Sequence, residues 1–228
     1  MPFTFRALRA HEHVVREGER VQSCCALLSG FALRYKIIAG GERQITSFCL
    51  PGDFVDLQSA FLETATHGLQ MMTAGDVALV DRPDLERLLT NHPNLQKAIW
   101  TETMVDLSIV SEWVANVGRR DARSRIAHLL CEFATRLRAT GVDVQNSFTL
   151  PMTQEQIADA TGLTAVHVNR TLQELGRTNL IWRKGRTVTV PDWEALVEVA
   201  DFDPAYLGTS SRSAPSHEMR VQVGTFAR

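Results

Sequence analysis

Hydrophobic periodicity changes character near residue 93 and divides the chain in two. Between residues 12 and 80 the apolar residues come in short runs separated by turns. The run FALRYKII (31–38) is rich in β-branched and aromatic residues, Gly40-Gly41 turns the chain, and RQITSFCL (43–50) follows as its partner. This predicts a hairpin. Pro51-Gly52-Asp53 is a further turn, and residues 69–73 and 77–80 are predicted strands around Gly75-Asp76. Many short strands at this spacing predict an antiparallel barrel or jelly roll. A short helix is expected over 82–91, ended by His92-Pro93.

Beyond Pro93 the spacing is helical. Residues 95–117 hold neither Gly nor Pro, and their apolar positions fall three and four apart. Trp100, Met104, Leu107 and Val114 form one stripe; Val110, Trp113 and Val117 extend a second. A long helix with two apolar faces packs one on its own domain and keeps the other for a partner, so a dimer helix is expected. Burial inside a single domain is the alternative. Gly118-Arg119-Arg120-Asp121 breaks the pattern and marks the expected domain boundary. A second amphipathic helix is predicted over 121–137, with Ile126, Leu129, Leu130, Phe133 and Leu137 facing inward. A polar connection and short strand occupy 139–150. Residues 180–190 read as a hairpin with a basic tip, Lys184-Gly185-Arg186, and 192–199 as a short helix. From Gly208 onward the Ser-, Thr- and Arg-rich sequence predicts a mobile tail. The expected division is therefore 1–93, 94–117, 118–207 and 208–228.

Composition narrows the classes. With 228 residues, 44% hydrophobic and 22% charged, the chain has the balance of a globular protein with a core. No apolar run approaches the ~20 residues that span a bilayer, so no membrane partner is expected. Four cysteines are too few for a disulfide scaffold and make a reducing cytoplasm the expected location. The net charge of −2 hides a segregation. Residues 1–117 carry 10 basic and 14 acidic side chains, residues 118–190 carry 11 and 6, and residues 191–228 carry 3 and 6. One basic segment in a near-neutral chain is compatible with a nucleic-acid surface.

Residues 153–177, TQEQIADATGLTAVHVNRTLQELGR, are the most informative stretch. Thr153 with Gln156 is a capping box that opens a helix. Gly162 supplies a positive φ for a tight turn, Leu163 plugs that turn, and Thr164 caps a second helix. Two short helices joined this way form a helix-turn-helix, whose second helix enters a major groove. On that helix Val168, Leu172 and Leu175 face the core, whereas Val166, Asn169, Arg170, Gln173 and Arg177 face out. Arg170 suits guanine O6 and N7, Asn169 suits adenine N6 and N7, and Val166 suits a thymine methyl. Gln173 completes the base-reading set. Thr164, His167 and Arg177, with Lys184 and Arg186 on the hairpin tip, are the expected phosphate contacts.

On the hairpins, the PGDF turn at 51–54, the long helix, the helix-turn-helix and the basic wing, residues 12–207 resemble the Crp/Fnr family of transcription regulators, the family of the cyclic AMP receptor protein. The resemblance implies an α+β chain: an antiparallel β-barrel or jelly roll of the cyclic-nucleotide-binding type, a long dimerisation helix and a C-terminal winged helix-turn-helix. It implies a homodimer on a palindromic double-stranded operator, with RNA polymerase as a further partner. It also implies that the arginine at position 170 contacts a guanine. Family members usually carry glutamate where this chain has Val166, so its operator is expected to depart from the usual half-sites.

The sensor half lacks the family's ligand residues. Leu57 stands where the ribose-binding glutamate is expected, and residues 64–69, TATHGL, contain no arginine for the cyclic phosphate. His67 substitutes only when protonated. Cyclic AMP binding is therefore not expected. Adjacent Cys24 and Cys25, with isolated Cys49 and Cys131, do not make the spaced set an iron–sulfur cluster needs. His11, His13 and His67 leave haem ligation open, and His128 with Cys131 gives only two of the ligands a zinc site needs. No cofactor and no metal site is expected. A small-ligand-gated receptor of the same fold is the alternative reading. Enzyme motifs such as G-x-S-x-G, H-E-x-x-H or a phosphate-binding Gly loop are absent from the sequence, so no catalytic residue is expected.

Overall fold

The computed structural model describes residues 3–208; the tail expected from 208 lies outside the described residues apart from Gly208. The N-terminal part contains β1 (Phe3–Leu8), β2 (His13–Val15), β3 (Ser23–Leu27), β4 (Ala32–Ile37), β5 (Arg43–Cys49), a 3₁₀ turn (Leu57–Ala60), β6 (Gly68–Met71) and β7 (Gly75–Asp81). All pairing is antiparallel, in one sheet of order β1-β7-β3 and another of order β2-β6-β4-β5. Leu8, Cys25 and Val77 of the first sheet share a core with Ala32, Leu69 and Met71 of the second. The expected antiparallel domain is thus present, as two sheets facing one core. Among the described residues their ladders do not close into a single ring.

The β4–β5 hairpin forms where the sequence predicts it. Two details differ. Strand β1 lies before the first predicted strand, and five of its six residues are exposed, so no buried face shows in its pattern. Gly75-Asp76 lies inside β7, paired with Leu8 and Ala7, so the turn falls before it.

Helix α1 (Arg82–Asn91) leads to α2 (Pro93–Arg119), which extends about a residue or two beyond its predicted limits at both ends. Trp113 is buried, its ring 5.8 Å from Phe48, and its indole N–H donates to the Glu132 carboxylate at 2.9 and 3.1 Å. Trp100, Met104, Leu107 and Val114 are exposed, Val114 at 69%. Val110, expected beside Trp113, is also exposed. It sits three residues from Leu107 and four from Val114, which puts it on their side of the helix.

Helix α3 (Ala122–Ala139) starts at Asp121, whose side chain accepts from the Ser124 amide at 2.8 Å. It is buried on the predicted face and on much of the rest, including His128, Glu132 and Arg136. Then come β8 (Ser147–Thr149), α4 (Gln154–Thr161), α5 (Ala165–Arg177), β9 (Trp182–Lys184), β10 (Thr187–Thr189), α6 (Trp193–Ala200) and a 3₁₀ turn (Pro204–Leu207). The β8-β10-β9 sheet is the wing.

The C-terminal part is docked on the first one. Leu33, Ile45 and Phe48 belong to the same buried cluster as Leu130, Ile157 and Leu172. Arg43 on β5 pairs with Asp159 on α4 at 2.7 Å. Arg136 on α3 reaches into the PGDF turn, donating to the Phe48 carbonyl at 2.8 Å and the Asp53 carboxylate at 2.7 Å. Among the described residues no helix is long and apolar enough to cross a membrane.

Candidate nucleic-acid interface

Local chemistry builds the helix-turn-helix as the sequence predicts. The Thr153 hydroxyl accepts from the Gln156 amide at 3.1 Å, and the Gln156 side chain accepts from the Thr153 amide at 2.9 Å, closing the capping box. Gly162 ends α4 at φ 65°, the left-handed region a side chain disfavours. Thr164 caps α5 by accepting from the His167 amide at 3.2 Å. Three consecutive signals thus fix where α4 stops and α5 begins.

Helix α5 then divides as expected. Val168, Leu172 and Leu175 are buried, with Thr171 beside them. Val166, Asn169, Arg170, Gln173 and Arg177 are exposed, Val166 at 81%. A β-branched apolar side chain that open to water gains nothing from folding, which marks it as a candidate contact. Thr164 is exposed and His167 half-buried at the start of the helix. Lys184 and Arg186 are exposed at the hairpin tip, where Gly185 at φ 61° allows the two-residue turn. Every expected DNA-facing residue is therefore at least half open, on α5, at its cap or on the wing.

Sequence reasoning missed two neighbours of this surface. Gln154, on the first turn of α4, donates its side-chain amide to the Asn169 carboxamide oxygen at 3.3 Å, linking the two helices at their outer face. Its place directly after the cap was the available signal. Arg183 on β9 is also exposed and adds to the basic wing.

The basic surplus of residues 118–190 is only partly a surface property. Arg136 is buried, Arg120 pairs with Glu112 at 2.7 Å, and Arg125 donates to the Thr161 carbonyl at 2.6 Å. Arg138 stacks over Trp193, 4.1 Å from the ring centroid. The cations left on the outer face include Arg170, Arg177, Arg183, Lys184 and Arg186. Counting charges along the chain cannot make that distinction; folding does.

A cavity in the N-terminal half lies between its sheets and α2. It is lined by Leu57, Leu89, Ile99 and Trp100, with Arg34, His67 and Asp106 among its polar groups. A guanidinium is thus present where the sequence offered none, contributed by β4. It is already engaged: Arg34 donates to Asp106 at 2.9 Å and to the carbonyls of Val55 and Phe54 at 3.0 and 3.1 Å. Burial pushes His67 down to about 4, with the Arg34 charge adding to the effect, so the ring is neutral at pH 7. Cys24 and Cys25 are both buried and belong to different apolar clusters, as adjacent strand residues must. Burial pushes the thiols of Cys24, Cys49 and Cys131 up to about 12, 11 and 12, which disfavours the thiolate that metals need.

Comparison with known proteins agrees with this architecture in both halves. The family model of the cyclic nucleotide-binding domain matches residues 5–92, and that of the Crp-like helix-turn-helix domain matches residues 124–199. The chain is 31% identical to the transcriptional activatory protein AadR of Rhodopseudomonas palustris over 195 residues, 84% of this chain and 77% of that one. It is 29% identical to the transcriptional activator protein FnrL of Cereibacter sphaeroides over 203 residues, 87% of this chain and 81% of the relative. The solved structure of FixK2 from Bradyrhizobium japonicum superposes with a TM-score of 0.78 at 25% identity, covering 87% of this chain and 98% of that one.

Proposed function

The chain belongs to the Crp/Fnr family of transcription regulators, and on that premise we propose that it acts as a homodimer that reads an inverted-repeat operator with α5 in the major groove. The carrying observation is the division of α5. One face locks into the core through Val168, Leu172 and Leu175, while the other presents Val166, Asn169, Arg170 and Gln173 to solvent. Arg170 is assigned to a guanine, Asn169 and Gln173 to adenine-type edges and Val166 to a thymine methyl. Thr164, His167, Arg177, Lys184 and Arg186 are assigned to phosphates, which set register without reading sequence. RNA polymerase is the macromolecular partner this reading implies at a promoter.

Lys184→Ala and Arg186→Ala are each expected to weaken binding to all duplexes alike. Removing one cation from a phosphate lowers the slope of log affinity against log salt by about one unit. Fluorescence anisotropy over a salt series measures that slope; an unchanged slope in both variants removes the wing from the interface.

The same reading assigns the exposed stripe of α2, Trp100, Met104, Leu107 and Val114, to the second copy. Leu107→Glu with Val114→Glu places two charges in that seam, where an unpaired buried charge costs several kcal/mol. Sedimentation at micromolar concentration is expected to show dimer for the native chain and monomer for the double variant. A double variant that remains dimeric puts the interface elsewhere.

The residues present do not fit a cyclic nucleotide. Leu57 offers no acceptor to a ribose, the Arg34 donors are shared among Asp106 and two carbonyls, and neutral His67 brings no charge to a phosphate. The cysteines likewise do not fit a shared cluster, since Cys24 and Cys25 face different cores.

A further inference from the structure

Asn169 is exposed on the outer face of α5, and its one hydrogen bond among the described residues comes from Gln154. Gln154 is half-buried and is the first residue of α4. The capping box around it fixes its backbone, since Thr153 and Gln156 exchange two hydrogen bonds across it. From there Nε2 of Gln154 donates to Oδ1 of Asn169 at 3.3 Å. The direction of this bond decides what Asn169 offers to DNA. A carboxamide has an acceptor end and a donor end, and its terminal torsion has two settings that exchange them. Adenine presents a donor at N6 and an acceptor at N7, so only one setting makes both bonds. With the ends exchanged, donor meets donor and acceptor meets acceptor. The bond from Gln154 holds the oxygen toward α4 and leaves Nδ2 unengaged. Oδ1 keeps a second lone pair, so it accepts from adenine N6 while Nδ2 donates to N7. Neither side chain is charged, so the pair adds nothing to the sequence-independent attraction to phosphate.

We propose that Gln154 is a positioning residue for base reading: by donating to Asn169 it sets the polarity of that carboxamide and makes it select adenine. Gln154 thus acts through Asn169 from the neighbouring helix, and the proposal rests on the assignment of Asn169 to a base edge.

The test is a competition series over operator duplexes changed at one base pair at a time. It compares the full-length native chain with Asn169→Ala and with variants of Gln154, each checked for fold by circular dichroism. Asn169→Ala locates the pair that Asn169 reads, as the position where adenine loses its advantage. At that pair Gln154→Ala is expected to reduce the preference for adenine about fivefold, the worth of one neutral hydrogen bond. Gln154→Lys keeps a donor and is expected to retain the preference within about twofold. Gln154→Glu is an acceptor only; it turns Nδ2 of Asn169 toward itself and is expected to reduce the preference at least about tenfold. The charges these two variants introduce act on every duplex alike and cancel in the ratio between two duplexes. With Asn169→Ala already present, Gln154→Ala is expected to change nothing further at that pair. Equal loss on all duplexes in Gln154→Ala makes Gln154 a phosphate contact and overturns the proposal. An adenine preference that survives Gln154→Glu, or one that Gln154→Lys loses as fully as Gln154→Ala, overturns it too. In those cases Asn169 remains a base reader. If Asn169→Ala itself shifts no base preference, the assignment of Asn169 to a base edge falls together with the proposal.

Discussion

Arg170→Ala is expected to weaken operator binding by roughly 1–3 kcal/mol per half-site and to erase the preference at one base pair in each. Arg170 is two residues beyond the buried Val168 and two before the buried Leu172, so its side chain leaves the helix away from the core. It has no ion-pair partner among the described residues, so its planar fork of donors is available in full. Two such donors match guanine O6 and N7 at once, and no other base presents that pair in the major groove. Because a dimer uses the residue twice, the loss applies at both half-sites and reaches about thirtyfold or more overall. The measurement is a binding series over single-base operator variants at fixed salt. If Arg170→Ala lowers affinity equally for every variant, the residue holds the backbone and the base assignment is wrong.

Arg136→Leu is expected to destabilise the folded chain by about 3–5 kcal/mol, the cost of removing one partner from a buried ion pair. Arg136 is 5% exposed and stands between Asp53 at 2.7 Å and Glu132 at 3.7 Å. Burial works against its charge, and the Asp53 and Glu132 carboxylates outweigh that, so its pKa is raised. Burial raises the Glu132 carboxyl too, against the opposing pull of Arg136, the Tyr206 hydroxyl at 2.8 Å and the Trp113 indole. Removing the guanidinium leaves two largely buried carboxylates, Asp53 and Glu132, without the cation between them. It also cuts the link between α3 and the PGDF turn, one of the polar ties between the two halves. Urea unfolding at fixed protomer concentration measures the loss as a shift in midpoint. A change below about 1 kcal/mol means the triad contributes little beyond its own desolvation.

Much of this arrangement was legible along the chain. Helix α1, the capping box, the Gly162 turn and the two faces of α5 depend on residues within a few positions of each other, and all appear as the sequence predicts. What was not legible depends on partners distant in sequence. Strand β1 belongs to a sheet through β7, more than sixty residues away, and shows almost no buried face of its own. Arg34 reaches the cavity from a strand, whereas the family resemblance points to residues 64–69 for a guanidinium. Arg136 and Arg125 look like surface cations in a basic segment, and only the packing of α3 against the sheets and α4 buries the first and half-buries the second. The docking itself, with Arg43 on Asp159, has no signature in either half alone.

The central claim is that two copies of α5 read two halves of one operator. Selection of the purified full chain on a pool of random duplexes, at one fixed salt concentration, tests it most directly. The account predicts enrichment of an inverted repeat with a guanine in each half-site and half-site centres ~10–10.5 bp apart or a multiple of that. Enrichment of a single unrepeated site, or no enriched sequence at all, would contradict it.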